Sequence, residues 1–139
     1  MASDHYLQLD GIWGDVKEAG HVGWIETLQF TPHSFDPKSK DIDNIVFDCL
    51  WGRQTKRMFD LVVSGESVRE GVLETFVETN GKRRLALRLR MIDITVAGYQ
   101  HGLPTTSGSP VDMYTLEFAK AVFESGTIAP VSVRGRSAR

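Results

Sequence analysis

Apolar and polar residues alternate along most of this chain, and a period of two is the signature of half-buried β-strands. The first apolar run, residues 6–9, is separated from the next, residues 24–30, by a stretch holding Gly11, Gly14, Gly20 and Gly23. Glycine turns a chain cheaply because it accepts positive φ without a Cβ clash. The pattern predicts a hairpin that opens a β domain, with Trp13 and Trp24 bracketing and anchoring its turn. Within residues 24–30, Trp24, Leu28 and Phe30 share one face, and Thr27 and Gln29 the other. Pro32 is expected to end this strand, because proline cannot donate to a ladder. Residues 31–44 then read as a long polar loop. Strand periodicity resumes at residues 45–51, where Ile45, Phe47, Cys49 and Trp51 share a face.

The period changes to that of a helix only over residues 53–64. Met58, Leu61 and Val62 fall at i, i+3 and i+4, and Gly65 stands where a C-cap glycine belongs. Residues 68–77 and 85–99 form the clearest hairpin, with Asn80-Gly81 between them suited to the positive φ values of a primed turn. The second arm changes phase. Leu85, Leu87, Leu89 and Met91 are apolar at odd positions, whereas Ile92, Ile94 and Val96 are apolar at even ones. Such a slip requires a bulge or a sharp bend, the device by which small barrels close. Residues 101–110 read as a loop. Residues 111–123 read as a last strand with Tyr114, Leu116 and Phe118 inward. The small, basic segment 125–139 is expected to be a disordered tail. The fold class is therefore mainly β: an antiparallel β-barrel with one short α-helix, forming a single domain over residues 1–124.

The chain's 139 residues suffice for one domain with a core, and a net charge of −2 argues against a nucleic-acid binder. With Cys49 as the sole cysteine, no intramolecular disulfide can form, and a multi-cysteine zinc site is excluded. No apolar run approaches the roughly 20 residues of a membrane span, so no membrane insertion is expected. The N-terminus lacks the basic-then-apolar pattern of a signal peptide, so export, if it occurs, is expected to bypass the general secretory route.

Candidate chemistry is sparse. His5, His21, His33 and His101 show no metal-ligand spacing and read as surface or turn residues. Cys49, inside an apolar strand pattern, reads as a buried, inert thiol. The chain has no nucleophile elbow and no phosphate-binding loop, and Ser64-Gly65-Glu66-Ser67 reads as a helix stop. Asp41 and Asp43 lack the glycine and closing glutamate of a calcium loop. Lys82, Arg83 and Arg84 read as solvated charge at a hairpin tip, or else as a contact with an acidic patch on a neighbouring subunit. Glu70, Glu74 and Glu78 alternate with Val72 and Phe76. Arg88 and Arg90 on the partner arm are placed to pair with some of these glutamates. A strand so mixed suits a face that meets another subunit or lines a wet channel. A monomeric barrel that binds a small ligand, or acts as an enzyme in its pocket, is the other reading open at this point.

One resemblance narrows the choice. Asp4-x-Tyr6-Leu7-x-Leu9-Asp10-Gly11-Ile12-x-Gly14-Asp15, followed by Gly20-His21-x-Gly23-Trp24-Ile25-Glu26, resembles the opening of the haemolysin-coregulated protein (Hcp) family. Glu70-Gly71-Val72-Leu73-Glu74, Ile92-Asp93-Ile94-Thr95-Val96 and Leu116-Glu117-Phe118-Ala119-Lys120 follow in the family's order. The resemblance implies a non-enzymatic tube protein of bacterial type VI secretion systems, without cofactor or metal. It further implies homohexameric rings that stack into a tube and carry small effectors in the lumen, with sheath and spike proteins as partners. Such a protein would be made in the cytoplasm and expelled by that system without a cleavable signal peptide. In the family an extended loop in the region 35–44 reaches toward the next subunit or ring. Here Lys38, Lys40, Asp41 and Asp43 offer both charge signs in a short span, and they are the expected inter-ring contact.

Overall fold

The computed structural model describes residues 3–33, 41–42, 44–103, 110–125 and 128–135. Among these described residues nine strands and one helix follow in the order β1 (Ser3–Leu9), β2 (Ile25–His33), β3 (Asp41–Ile42), β4 (Asn44–Leu50), α1 (Thr55–Ser64), β5 (Val68–Thr79), β6 (Lys82–Leu103), β7 (Val111–Glu117), β8 (Lys120–Ser125) and β9 (Ile128–Gly135). The sheet runs β3-β9-β8-β6-β5-β1-β2-β4-β7, and β7 pairs back onto β6. That last pairing closes six strands, β6-β5-β1-β2-β4-β7, into an antiparallel barrel. Strands β8, β9 and β3 continue outward from β6 as a flap of sheet.

The opening hairpin forms as the glycine pattern predicts, with His5 opposite Thr27 and Leu7 opposite Ile25. Its inward phase is the reverse of the one that the tryptophan and leucine suggest. Ile25 and Thr27 are buried, and Leu28 is 47% exposed. Two further expectations for β2 and β4 are corrected. Pro32 lies within β2, opposite Ile45. It is tolerated because β1 pairs only with residues 25–27, so from there on β2 is an edge on that side. Trp51 falls past the end of β4 and does not join Ile45, Phe47 and Cys49, all of which are buried.

α1 is shorter than its periodicity suggests but buries Met58 and Leu61 against the barrel. Gly65 ends it in the left-handed conformation (φ 71°), with its N–H donating to the Leu61 carbonyl at 3.0 Å. The β5–β6 hairpin turns through Asn80 (φ 53°) and Gly81 (φ 75°), the positive pair of a primed turn.

The phase change in β6 has a single cause, Asp93, which sits at φ 56°. Leu89 and Met91 point into the core before it, and Ile94 and Val96 after it, while Ile92 is turned out at 41% exposure. Ile92 was expected inward with Ile94 and Val96; the bend at Asp93 costs it that place. At this bend β6 exchanges one neighbour for another. Residues up to Ile92 pair with β8, and residues from Thr95 pair with β7. The expected single strand over residues 111–123 is accordingly two strands, β7 and β8. Ala119 between them donates its N–H to the Ile92 carbonyl at 2.9 Å.

The segment left to a disordered tail contains β9. It pairs with β8 and buries Val133. Gly135 lies so close to Phe118 that a Cβ there would overlap the Phe118 carbonyl. The barrel interior is filled: Phe47 and Tyr114 stack at 5.4 Å between centroids, surrounded by Leu7, Leu9, Leu73 and Leu89.

Nothing lies within 4 Å of a Cβ built at Gly81, so a substitution there is strained by φ alone. Gly81→Val is expected to lower stability by about 1 kcal/mol with the fold retained. An unchanged melting temperature would show that the turn does not need positive φ.

Candidate assembly surface

The groups that could carry chemistry are tied up in the fold. Burial pushes the Cys49 thiol up to about 12, so it is no thiolate nucleophile at neutral pH. His5 places Nδ1 2.8 Å from the Thr75 hydroxyl, and desolvation lowers its pKa. The side chains of His33 and His101 lie outside the described residues. The buried Asp112 carboxylate accepts from the Trp51 indole N–H (2.8 Å), the Gly102 N–H (3.2 Å) and the Tyr114 hydroxyl (3.1 Å). Burial, followed by that neighbouring carboxylate, raises the Tyr114 phenol. Asp112, itself on β7, therefore ties Trp51, just past the end of β4, to Gly102 of β6. Among the described residues no group of three or more His, Cys, Asp and Glu is placed to hold a metal ion.

The outer face of β1, β5, β6 and β8 carries a chain of opposite charges. Glu74, buried on β5, accepts from Arg88 Nε at 2.6 Å and lies 2.6 Å from His21 Nε2. Arg88 and Arg90 both reach Glu124 on β8, at 3.8 and 3.0 Å. Arg83 at the hairpin tip pairs with Glu18 and with Asp4 (3.6 Å). Its guanidinium lies 4.6 Å from the Phe76 ring centroid and 5.5 Å from that of Tyr6. Desolvation pushes the Glu74 carboxyl up, but hydrogen bonds from His21 and Arg88, with their charges, outweigh it and hold it below the ordinary range. The hydrogen bond from Arg83 does the same for Glu18. Because these pKa values are lower in the fold, the pairs stabilise it above the carboxylate range and lose that effect as pH falls through it.

Two expectations change here. Arg83 is an anchored ion-pair partner of Glu18 and Asp4 in its own chain and not a freely solvated charge. His21 is buried, because the turn folds back and lays it against Tyr6 and Phe76. Of the expected cross-strand pairs, Arg88 finds Glu74, whereas Arg90 turns to Glu124. Alternation alone does not reveal this, because residues 111–123 continue one strand pattern across the break between β7 and β8.

Apolar side chains are exposed at several places on the outside. Trp13 (62%) and Val22 crown the β1–β2 connection, with Trp13 lying over Gly23 instead of anchoring the turn by burial. Leu28, Leu50 and Trp51 line a cleft with Asp15, Glu26 and Gln54. Phe59 lies edge-on to Tyr99 at 5.8 Å and forms a shallow groove with Lys56, while Val63 (72%) projects from the same helix. Of the charged residues expected at an inter-ring contact, Lys38, Lys40 and Asp43 lie outside the described residues. Asp41 stands in β3, opposite Arg134 of β9, with Ile42 beside it buried. The backbone of Asp41 is thus pinned to the sheet.

The sequence profile of the family described as "Type VI secretion system effector, Hcp" matches residues 6–124. The chain belongs to the Hcp family. Membership places it among the self-assembling tube proteins of type VI secretion. Solved Hcp structures share its fold. Hcp1 from Salmonella typhimurium superposes with a TM-score of 0.81 at 22% identity, covering 95% of this chain and 92% of that one. Secreted protein Hcp3 from Pseudomonas aeruginosa gives 0.82 at 10% identity, covering 97% and 99%. Hcp2 from Salmonella typhimurium gives 0.73 at 18%, covering 94% and 92%. At these identities the likeness is one of fold. No curated protein sequence matches the chain. In this Hcp chain no helix among the described residues is long and apolar enough to cross a membrane.

Replacing Glu74 removes the shared partner of the His21 ring and the Arg88 guanidinium. Glu74→Ala is expected to destabilise the Hcp fold by about 2 kcal/mol, measured by denaturant unfolding at neutral pH. A variant as stable as the parent would mean that the pairs are already satisfied by water.

Proposed function

We propose that this Hcp protein builds the inner tube of a type VI secretion system, six copies closing into a ring and rings stacking end to end. Small effectors travel in the lumen, and a contractile sheath and a spike protein are its partners. The chain is made in the cytoplasm and expelled by that machine, and its role is mechanical, without catalysis. The observation that carries this reading is the family match over residues 6–124, nearly the whole described barrel. The exposed Trp13, Val22, Leu28, Trp51 and Val63 support it, because apolar surface of this kind suits contact between subunits. The filled interior around Phe47 and Tyr114 weighs against a monomeric ligand-binding barrel.

Light scattering on the purified protein tests the ring. A mass several times the 15.5 kDa of one chain is expected, and a monomeric mass at micromolar concentration contradicts the proposal. Lys38, Lys40, Asp41 and Asp43 are proposed as the inter-ring contact. Exposed pairs are weak, roughly 0–1 kcal/mol each, but a ring repeats them. Replacing all four by serine is expected to leave fold and ring mass intact while reducing tube formation in electron micrographs and secretion. Stacking equal to the parent would make the loop a mere connector. Loss of the ring would move it to the lateral interface.

A further inference from the structure

Residues 10–24 form a compact unit that is bonded chiefly to itself. Gly14 N–H donates to Gly23 O (2.8 Å), Gly23 N–H to Val16 O (2.9 Å) and Val16 N–H to Trp24 O (3.2 Å). At the near end the Asp10 N–H reaches Glu70 O of β5 at 3.1 Å. Ile12 is rooted in the core at 4% exposure, the Asp15 carboxylate accepts from the Arg53 N–H at 3.1 Å, and farther along His21, at 8% exposure, is lodged against the sheet. Its ring stacks on Tyr6 at 4.7 Å and meets Trp24 (4.7 Å) and Phe76 (5.2 Å) edge-on. Nδ1 lies 3.0 Å from Glu18 Oε2, and Nε2 lies 2.6 Å from Glu74 Oε1.

Both ring nitrogens therefore face carboxylate oxygens. An ionised carboxylate only accepts, and a neutral imidazole has one donor, so only the doubly protonated ring satisfies both contacts. On losing a proton the ring turns a lone pair toward a carboxylate at hydrogen-bond distance, in a walled site where that repulsion is poorly screened.

We propose that residues 10–24 are a proton-dependent flap, latched onto the β1–β5–β6 sheet while His21 is doubly protonated and loosened when it becomes neutral. The charged and titratable groups around the latch are Glu18 on the flap itself, Tyr6 and Asp4 on β1, and Glu74 on β5. Arg83 and Arg88 on β6 and, through Arg88, Glu124 on β8 complete the set. The two arginines stay cationic and keep Glu18 and Glu74 ionised, so the labile proton of the latch resides on the imidazole. The lowered pKa values of both glutamates agree with this. Trp13 and Val22 ride on the flap, so its release rearranges the apolar surface they present. The latch is a property of the single chain and does not rest on ring formation.

Hydrogen exchange read by mass spectrometry tests it on the full chain, with the oligomeric state recorded alongside. Between about pH 6 and about pH 8.5, corrected for intrinsic rates, peptides covering residues 10–24 are expected to lose protection about tenfold, and those of β4 and β7 none. His21→Gln is expected to show the low protection at both pH values, and Glu74→Gln to flatten the pH dependence. Equal flap protection in the parent at the two pH values overturns the proposal, as does the parent's pH dependence persisting in His21→Gln. If the variants do not fold, nitrogen NMR of the parent still decides. Two protonated ring nitrogens on His21 at about pH 6 support the latch, and a single one overturns it.

Discussion

The barrel depends on one strand having three neighbours. β6 pairs with β5 along its first half, and on its other edge it holds β8 and then β7. A straight strand keeps one face inward and one partner per edge. The positive φ of Asp93 breaks both constraints at once, shifting the inward set from Leu89 and Met91 to Ile94 and Val96. The closing β6–β7 pairing follows from this bend, and so does the outward course of β8 and β9. Aspartate is suited to the place, because its short polar side chain tolerates the left-handed region better than a branched apolar one.

Closure leaves the working surface on the outside. Inside, Phe47, Tyr114 and the aliphatic residues fill the barrel, and Asp112 is occupied by hydrogen bonds from Trp51, Gly102 and Tyr114. Outside, one face carries the Glu74–Arg88–Glu124 network, and other places carry exposed tryptophan, leucine and valine. A protein whose Glu74 and Asp112 carboxylates are engaged within the fold and whose exterior is part charged and part apolar is suited to association, in keeping with its family.

Much of this could be read from residue order. The Asn80-Gly81 turn, the Gly65 helix stop, the buried Cys49 and the bend after Met91 each rest on local chemistry, and local chemistry is written in the sequence. What escaped depends on distant partners. Pro32 looked like a terminator because the pattern does not say that β2 becomes an edge. His21 looked like a turn residue because Tyr6 and Glu74 are far away in the chain. β9 was hidden by its small, basic composition, although Val131-Ser132-Val133-Arg134 alternates. The pairing of Arg90 with Glu124 required knowing that the last long strand divides in two.

The central claim is that the left-handed bend at Asp93 lets β6 serve two partners. Chemical denaturation of Asp93→Gly and Asp93→Val tests it most directly, because Asp93 is exposed and its replacement opens no cavity. The account predicts that Asp93→Gly is at least as stable as the parent. It predicts that Asp93→Val is less stable by about 1–2 kcal/mol, the cost of a branched side chain at positive φ. Equal midpoints for the two variants would contradict it.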